Sequence, residues 1–382
     1  MIRVVEAISD TNIGGAGVLL LNRLSKADRR IFDVTVMLPQ NSLLTERFRD
    51  IGIRTVEIDG KGDASFSVRK LFGQTSALKK IKPHIINSHG DLSSRIAATI
   101  VGVPARVYTR HCTFPVSGIY DFLCVRVAVK IMTNVLSHRV IAVAYAVKGD
   151  LIRMGVSPSK IKVIINGSNA LGRLDEAAKN NIKRKNGISE NDVVVTICAR
   201  LEPCKGHKCF LKAAKILSEG ERSYKFLILG SGSTEKELKM LVRYLGIDKN
   251  VIFTGFVKDV SPYMNITDIN VNCSVGTETS SLALSEGMSL GIPAVVSNYG
   301  GNPYMVRHGA NGYVYEKENA QELANYIERI ANSISDGEYA KISTASRKRF
   351  EQELNSEVMT RKTETLYLEL IKNKRPMQKD RS

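Results

Sequence analysis

The chain has 382 residues, too many for one ordinary core and about right for two domains. Hydrophobic residues make up 43% and charged residues 24%, as in a folded soluble protein, and no run of about 18 apolar residues occurs, which excludes a membrane-spanning helix. The net charge is +17, and the first 170 residues hold 24 Lys+Arg against 12 Asp+Glu, so most of the excess lies there. Such a field favours a phosphate-bearing substrate or an acidic membrane face, unless it is only a basic solvated surface. Nucleic acid is disfavoured: Trp is absent, aromatics are 6%, and no basic-aromatic platform appears.

In chain order, the opening MIRVVEAIS reads as a first β-strand with Glu6 inside it, not as a secretory signal. Gly14-Gly15-Ala16-Gly17 follows, then an apolar helix through Leu24. Further β-rich runs lie at 34–38, 55–58, 84–89, 106–110 and 139–143, with helical patterns between them. A polar, basic stretch at 175–192 separates these from a second series at 193–199, 224–230, 251–255, 269–273 and 293–297. Strands alternating with helices predict parallel sheets covered on both faces, hence two Rossmann-like α/β halves in series. The six cysteines (Cys112, Cys124, Cys198, Cys204, Cys209, Cys273) form no Cys-x-x-Cys pair. Free thiols in a reducing compartment are expected, without disulfides or a zinc site.

Two segments carry chemistry. In Glu278-Thr-Ser-Ser-Leu-Ala-Leu-Ser-Glu286, Ser and Thr before an apolar run signal a helix start, and Gly291 with Pro293 signals its stop. A helix is predicted from about Ser280 to Leu290, with Glu278 before its first turn and Glu286 two turns in. Their backbones are then roughly 10–12 Å apart. That is too far for two carboxylates flanking one bond. It suits carboxylates gripping the two ends of an elongated ligand, with a phosphate at the helix start between them, as in a nucleotide sugar. Two surface glutamates on an ordinary helix is the alternative. Arg200 and Lys205 follow the strand 193–199 at the end where open α/β sheets bind ligands, and can neutralise a diphosphate there. No Asp-x-Asp pair occurs to hold a divalent ion.

ARLEPCKGH, FLILGSG, VIFTGFV, GTETSSLALSEGMSLGIPAVVSNYGG and HGANGYVY together resemble the retaining glycosyltransferases of family four, with the GT-B fold. The likeness is strong over 191–315 and looser before it. It implies two Rossmann-like domains with parallel sheets facing a central cleft, and a C-terminal helix crossing back to the first domain. The domains are expected at 1–172 and 190–345, the helix at 346–372 and a disordered basic tail at 373–382, with a hinge near 170–190. The resemblance implies a retaining, metal-independent hexosyl transfer from a nucleotide sugar, UDP favoured, without a cofactor. Arg200 and Lys205 would bind the diphosphate, Glu286 the ribose, and Glu278 the donor sugar. Ser280, Ser281 and Leu282 would approach phosphate and sugar, Gly14 and Gly15 would let backbone close on the phosphates, and His111 would lie beside the transferred sugar. His89 is expected behind it. Tyr304 stands where the family often has an acidic residue.

Residues 114–136 are rich in Phe, Val, Ile and Leu with Arg126 and Lys130 between, which suits a membrane surface or a core helix. With the basic charge, this points to a lipid-linked or oligosaccharide acceptor in bacterial cell-surface polysaccharide assembly. The enzyme would then be cytoplasmic and peripheral at the inner membrane face. A nucleotide-sugar epimerase of the same fold and a non-catalytic basic nucleotide- or membrane-binding module are the competing readings. An epimerase would convert donor without acceptor.

Overall fold

The computed structural model describes residues 1–60, 62–113, 122–335 and 337–373. It divides into two compact units, one formed by Met1–Gly167 with the chain from Ser356 onward, the other by Ser168–Asn355.

The first unit runs β1 (Ile2–Ile8), α1 (Gly15–Leu24), β2 (Phe32–Pro39), α2 (Thr45–Asp50), β3 (Arg54–Ile58), α3 (Val68–Ile81), β4 (Ile85–His89), α4 (Leu92–Val101), β5 (Ala105–Arg110), α5 (Leu123–Leu136), β6 (Arg139–Ala142), α6 (Tyr145–Arg153) and β7 (Ile161–Val163). Its sheet has the order β3-β2-β1-β4-β5-β6-β7, and all pairs are parallel. Helices cover both faces of a parallel sheet, so its strands read as nearly continuous apolar runs. In β1, Val4, Val5, Ala7 and Ile8 are buried on alternate faces, and the one charged residue among them, Glu6, is buried too.

The second unit contains α7 (Glu176–Lys185), β8 (Val193–Cys198), α8 (His207–Ser218), β9 (Tyr224–Leu229), α9 (Glu235–Leu245), β10 (Val251–Gly255), α10 (Ser261–Met264), β11 (Ile269–Asn272), α11 (Leu282–Leu290), β12 (Ala294–Ser297), α12 (Asn302–Met305), β13 (Gly312–Tyr315), α13 (Ala320–Asn332) and α14 (Glu338–Arg349). Its parallel sheet follows β10-β9-β8-β11-β12-β13. In both units the order reverses beside the first strand, at β1/β4 and at β8/β11. The crevice at such a switch point, outside the C-terminal strand ends, is where this architecture places ligands.

The last helix, α15 (Ser356–Lys372), belongs to the first unit. Met359, Leu366, Tyr367 and Leu370 pack there with Val4, Phe32, Ile85 and Val107. One continuous helix was expected over 346–372, but the chain breaks between α14 and α15. Residues Phe350–Leu354 form a π-helical turn and Asn355 is extended. The Asn355 side-chain amide donates to the carbonyls of Phe350 (3.2 Å) and Glu351 (2.6 Å), and the Ser168 amide takes the Leu354 carbonyl (3.0 Å). These bonds cap the first helix and release the second. The polar stretch at 175–192 is helical over α7, because Asp175 caps it by accepting from the Ala178 amide. The basic tail lies, apart from Asn373, outside the described residues.

The second unit's core is built around Phe226, fully buried on β9 and packed edge-to-face on Phe210 of α8 with centroids 5.8 Å apart. Phe226→Ala should destabilise this unit by about 3–5 kcal/mol, measured as a lowered midpoint in urea unfolding. A change below about 1 kcal/mol would show that the ring is not a keystone of the core.

Candidate active site

In the second unit, the crevice is bounded by the segments leaving β8 and β11. The chain leaves β8 through Ala199 and Arg200, makes a single 3-10 turn at Pro203–Lys205, and enters α8 through Gly206. Gly206 has φ +70, and a Cβ there would stand 2.0 Å from the Cys273 carbonyl oxygen, so only glycine lets this loop press against the end of β11. The same logic holds across the crevice, where Cβ atoms at Gly300 and Gly301 would strike the carbonyl oxygens of Glu278 (2.1 Å) and Thr279 (1.5 Å).

These close approaches bring Lys205 and Glu278 together. Lys205 Nζ donates to Glu278 Oε2 at 2.9 Å, with both side chains largely buried. Oε2 also accepts from Ser274 Oγ (2.8 Å) and Asn272 Nδ2 (3.1 Å), and Oε1 from the Thr279 amide (3.2 Å). Asn302 donates to Asn272 Oδ1 (3.3 Å) and to Ser297 Oγ (3.1 Å), fixing the layer beneath. Burial alone pushes the Glu278 carboxyl up, but the Lys205 ammonium and the hydrogen bonds from Lys205, Asn272 and Ser274 outweigh it and hold it below its ordinary range. It is therefore a fixed carboxylate. Asn272, Ser274 and Asn302 were not singled out from sequence; short polar side chains at strand ends were the only signal.

Helix α11 starts two residues later than predicted. Ser281 is its N-cap, accepting from the Leu284 amide at 3.3 Å, and Gly291 closes it with φ +86. Ser280 is buried just before the cap, and Leu282 is the first helical residue. Glu286 lies a little over one turn into the helix, not two. Burial, and after it the Asp259 carboxylate, push the Glu286 carboxyl up to about 7. Glu286 in turn adds to the burial that pushes the Cys198 thiol at the end of β8 up to about 12, so it faces that strand end. Arg200 is exposed and makes no side-chain hydrogen bond or ion pair among the described residues. Tyr304, on α12, stacks under Arg349 (4.5 Å to the ring centroid) and donates to Glu353, so it is tied into the α14 end of the unit.

In the first unit, Gly14 is the N-cap of α1 and Gly15 its first residue, and a Cβ at Gly15 would meet nothing within 4 Å. His111 follows β5 directly. Its Nε2 lies 2.8 Å from His89 Nδ1, and the two rings stack with centroids 5.1 Å apart. Behind them stands Glu6. Its Oε2 contacts His89 Nε2 (2.8 Å) and accepts from Asn87 Nδ2 (3.0 Å); its Oε1 accepts from Tyr367 Oη (2.8 Å) and pairs with Arg23 (2.5 Å). Burial pushes this carboxyl up, but Arg23, His89 and Tyr367 together hold it down at about 2. Burial pushes His111 below its ordinary range, and His89, Arg110 and Arg23 push it further the same way. A cavity of about 30 Å³ adjoins the group, lined by Arg23, Asn87, His89, Thr109 and His111 among others. Glu6, Arg23, Asn87 and Tyr367 escaped the sequence reading. The signal was one charged residue inside an apolar strand, which had served only to argue against a leader peptide.

A second depression, of about 220 Å³, lies at the opposite, N-terminal ends of β11 and β12, between Arg173, Lys179, Asp268 and Tyr339. It holds none of the residues chosen from sequence. Among the described residues no group of three or more His, Cys, Asp or Glu is arranged to hold a metal ion.

Residues 178–349 match the family described as glycosyl transferases group 1, and residues 13–170 match glycosyltransferase family 4. The chain is 27% identical over 316 residues to the UDP-Gal:alpha-D-GlcNAc-diphosphoundecaprenol alpha-1,3-galactosyltransferase of Escherichia coli, covering 80% of this chain and 81% of that protein. It is 24% identical over 302 residues to a capsular polysaccharide biosynthesis glycosyltransferase of Staphylococcus aureus, covering 77% and 78%. Among solved structures, a glycosyltransferase from Rickettsia africae superposes with a TM-score of 0.83 at 19% identity, covering 97% and 99%. An Anabaena protein crystallised with UDP superposes at 0.81 and 20%, covering 96% and 100%. These two likenesses carry the fold alone, and that fold is the expected GT-B arrangement of two Rossmann-like units.

The raised carboxyl of Glu286 has a signed consequence. A carboxyl whose folded value is raised from 4.5 to about 7 contributes stability that is fully present below pH 4.5 and lost as pH rises through 7. Urea unfolding at a series of pH values should show the wild type losing roughly 3 kcal/mol relative to Glu286→Gln between pH 4.5 and 8. Parallel stability profiles would mean that Glu286 titrates normally.

Proposed function

Since the chain belongs to the group 1, family 4 glycosyltransferases, we propose that it transfers a hexosyl group from a UDP-sugar, with retention of configuration, to a lipid-linked saccharide in bacterial cell-surface polysaccharide synthesis. The observation that carries this reading is the Lys205–Glu278 pair, held across the second unit's switch point beside the start of α11.

Each part of the donor has a chemical counterpart there. The diphosphate takes the N-terminus of α11, whose first amides and dipole favour an anion. Lys205 has three N–H donors, so it can keep Glu278 and still reach a phosphate oxygen. Arg200 adds a mobile bidentate fork. Glu286, deprotonated on binding, accepts from the ribose hydroxyls, and Glu278, fixed as a carboxylate, accepts from the sugar hydroxyls. Neither carboxylate serves as nucleophile, and the departing diphosphate takes the acceptor's proton on the face it leaves. The protein contributes position and charge stabilisation. Lys205, Arg200 and the helix start supply the positive charge that a divalent ion would otherwise supply, which is the basis for a metal-independent reaction.

The E. coli relative is named for a UDP-galactose donor and a diphosphoundecaprenol-linked acceptor, and the S. aureus relative for capsular polysaccharide. These names support the UDP donor and the lipid-linked acceptor. Helix α5 supports the membrane surface. Of its residues only Thr133 is buried, while Leu123, Val127, Ile131 and Val135 form an exposed stripe at i, i+4 spacing, with Phe122 exposed before them. Burial argues against the core-helix alternative for Leu123–Leu136, although Val129 packs on the unit's core; residues 114–121 lie outside the described residues. No helix among the described residues is long and apolar enough to cross a membrane.

Turnover should release UDP only when a polyprenyl-diphosphate saccharide is present, with a product anomer matching the donor's by NMR and a rate unchanged by chelator. Lys205→Ala, checked for folding by circular dichroism, should lose about 10²–10³-fold in kcat/KM. Donor conversion without acceptor would replace transfer by epimerisation. Separately, Leu123→Asp with Ile131→Asp should abolish cosedimentation with vesicles containing anionic lipid. Equal binding by wild type and variant would remove α5 from the membrane contact.

A further inference from the structure

The basic excess of the first unit is concentrated on one side of it. Residues 101–167, which span β5, α5, β6, α6 and β7, contain nine Lys or Arg against two Asp, a net of +7. Three of these cations gather at the N-terminal ends of adjacent strands. Arg106 is the second residue of β5, Arg139 opens β6, and Lys160 immediately precedes β7. The register pairs Val107 with Arg139 and Val140 with Ile161, so the three stand on neighbouring strands spaced about 5 Å apart.

Each donates to a carbonyl at or just past the C-terminal end of α5. Arg106 Nε donates to the Leu136 carbonyl (3.2 Å), and its Nη1 also reaches that of Val103 (3.2 Å). Arg139 Nη1 donates to the His138 carbonyl (3.0 Å), and Lys160 Nζ to those of Asn134 and Ser137, the latter at 3.2 Å. Capping explains these bonds and no more. A guanidinium carries five N–H donors and an ammonium three, so four remain on Arg139, three on Arg106 and one on Lys160. Among the described residues none of the three is paired with a carboxylate, and none of their nitrogens is both buried and unpartnered. The spare donors are therefore open to a ligand. Burial, followed by Arg139 and Arg106, pushes the Lys160 ammonium below its ordinary range, as befits a cation among cations.

What the cluster adjoins identifies that ligand. Val135, exposed at 60%, lies between the capped residues Asn134 and Leu136 and ends the exposed stripe of Leu123, Val127, Ile131 and Val135. Phosphate donors that meet an apolar stripe suit a phosphate carried on an acyl chain. The cluster also lies at the wrong end of the sheet for the sugar acceptor. β5 is six residues long, about 20 Å, and the crevice lies beyond its C-terminal end. A diphosphate bonded to the reacting sugar could not reach both. We infer that Arg106, Arg139 and Lys160 form a binding site for the phosphate of an anionic phospholipid, whose chains lie along Ile131 and Val135. The site holds the end of α5 at the headgroup level while the stripe enters the acyl boundary. This inference rests on the membrane contact proposed for α5 and gives it a specific ligand.

The experiment is flotation of the full-length protein with vesicles of phosphatidylcholine, alone or mixed with phosphatidylglycerol, at fixed ionic strength. Wild type should float with the mixed vesicles and not with phosphatidylcholine alone. A cation near an anionic surface is worth about 5-fold in binding, so Arg106→Gln with Arg139→Gln should bind about 30-fold more weakly. The control is Arg361→Gln with Lys362→Gln, which removes the same charge from exposed positions on α15. That helix packs on the sheet face bearing Val107 and Ile141, opposite the face of Tyr108 and Val140 that α5 and α6 cover. The control should lose less than about 3-fold, because the membrane field fades within a Debye length. Should the arginine pair fail to fold by circular dichroism, Arg139→Gln, which gives up a single bond to a carbonyl, takes its place and should lose about 5-fold. Equal losses in arginine pair and control overturn the inference, since net charge then explains the binding. An arginine pair that floats like wild type overturns it too, even if it has lost thermal stabilisation by inorganic phosphate, because the ligand is then a free anion. If Leu123→Asp with Ile131→Asp abolishes flotation while the arginine pair keeps it, the α5 contact stands and this site alone falls. Wild type that floats with neither vesicle removes both.

Discussion

A carboxylate taken out of water must be fully compensated, and each unit of this protein puts one such carboxylate at its switch point. Glu6 is completely buried on β1, and Glu278 is nearly so in the segment after β11. Leaving either unpaired would cost several kcal/mol. Their partners are therefore not optional, and the partners dictate local structure. Glu6 joins α1, β4 and α15 to β1. Glu278 joins the loop after β8 to the loop after β11, and the glycines at 206, 300 and 301 exist so that backbone can come close enough. The sites are rigid because the charges demand it.

The two devices differ in a way that suits division of labour. Glu6 is saturated by protein, so it can only hold other groups in place. The Glu278 pair leaves its ammonium two further donors, Arg200 uncommitted and Glu286 poised near neutrality. That set has capacity for a ligand with two anionic centres and hydroxyls at both ends. The basic excess of the first 170 residues and the exposed apolar stripe of α5 lie in the other unit, which fits a hydrophobic, anionic acceptor approaching there.

Much of this was legible in the sequence. Apolar runs of strand length marked eleven of the thirteen strands among the described residues. β7 and β13 escaped because three or four residues with little alternation, IKV and GYVY, carry almost no periodic signal, and β6 and β12 were legible although only four residues long because they are uninterrupted apolar runs. The spacing from Glu278 to Glu286 argued against an acid–base pair. It could not show that Glu278 is pinned by Lys205, because the two are 73 positions apart and meet only through close backbone packing. The break between α14 and α15 depends on Asn355 bonding back to carbonyls and on Ser168, far upstream, which no local pattern reveals. Glu6 was visible as an anomaly, yet its meaning depends on α15, some 360 residues later. Sequence pattern reports burial well and long-range polar partnership poorly.

The proposed reaction requires the second unit's crevice to hold the nucleoside diphosphate. Crystals of the protein soaked with UDP test it most directly. Difference density for the diphosphate is expected at the start of α11 within hydrogen-bond reach of Lys205 and Arg200, with the ribose hydroxyls on Glu286. UDP bound away from Lys205 and Glu286, or no density at a concentration that saturates the protein in solution, would contradict it.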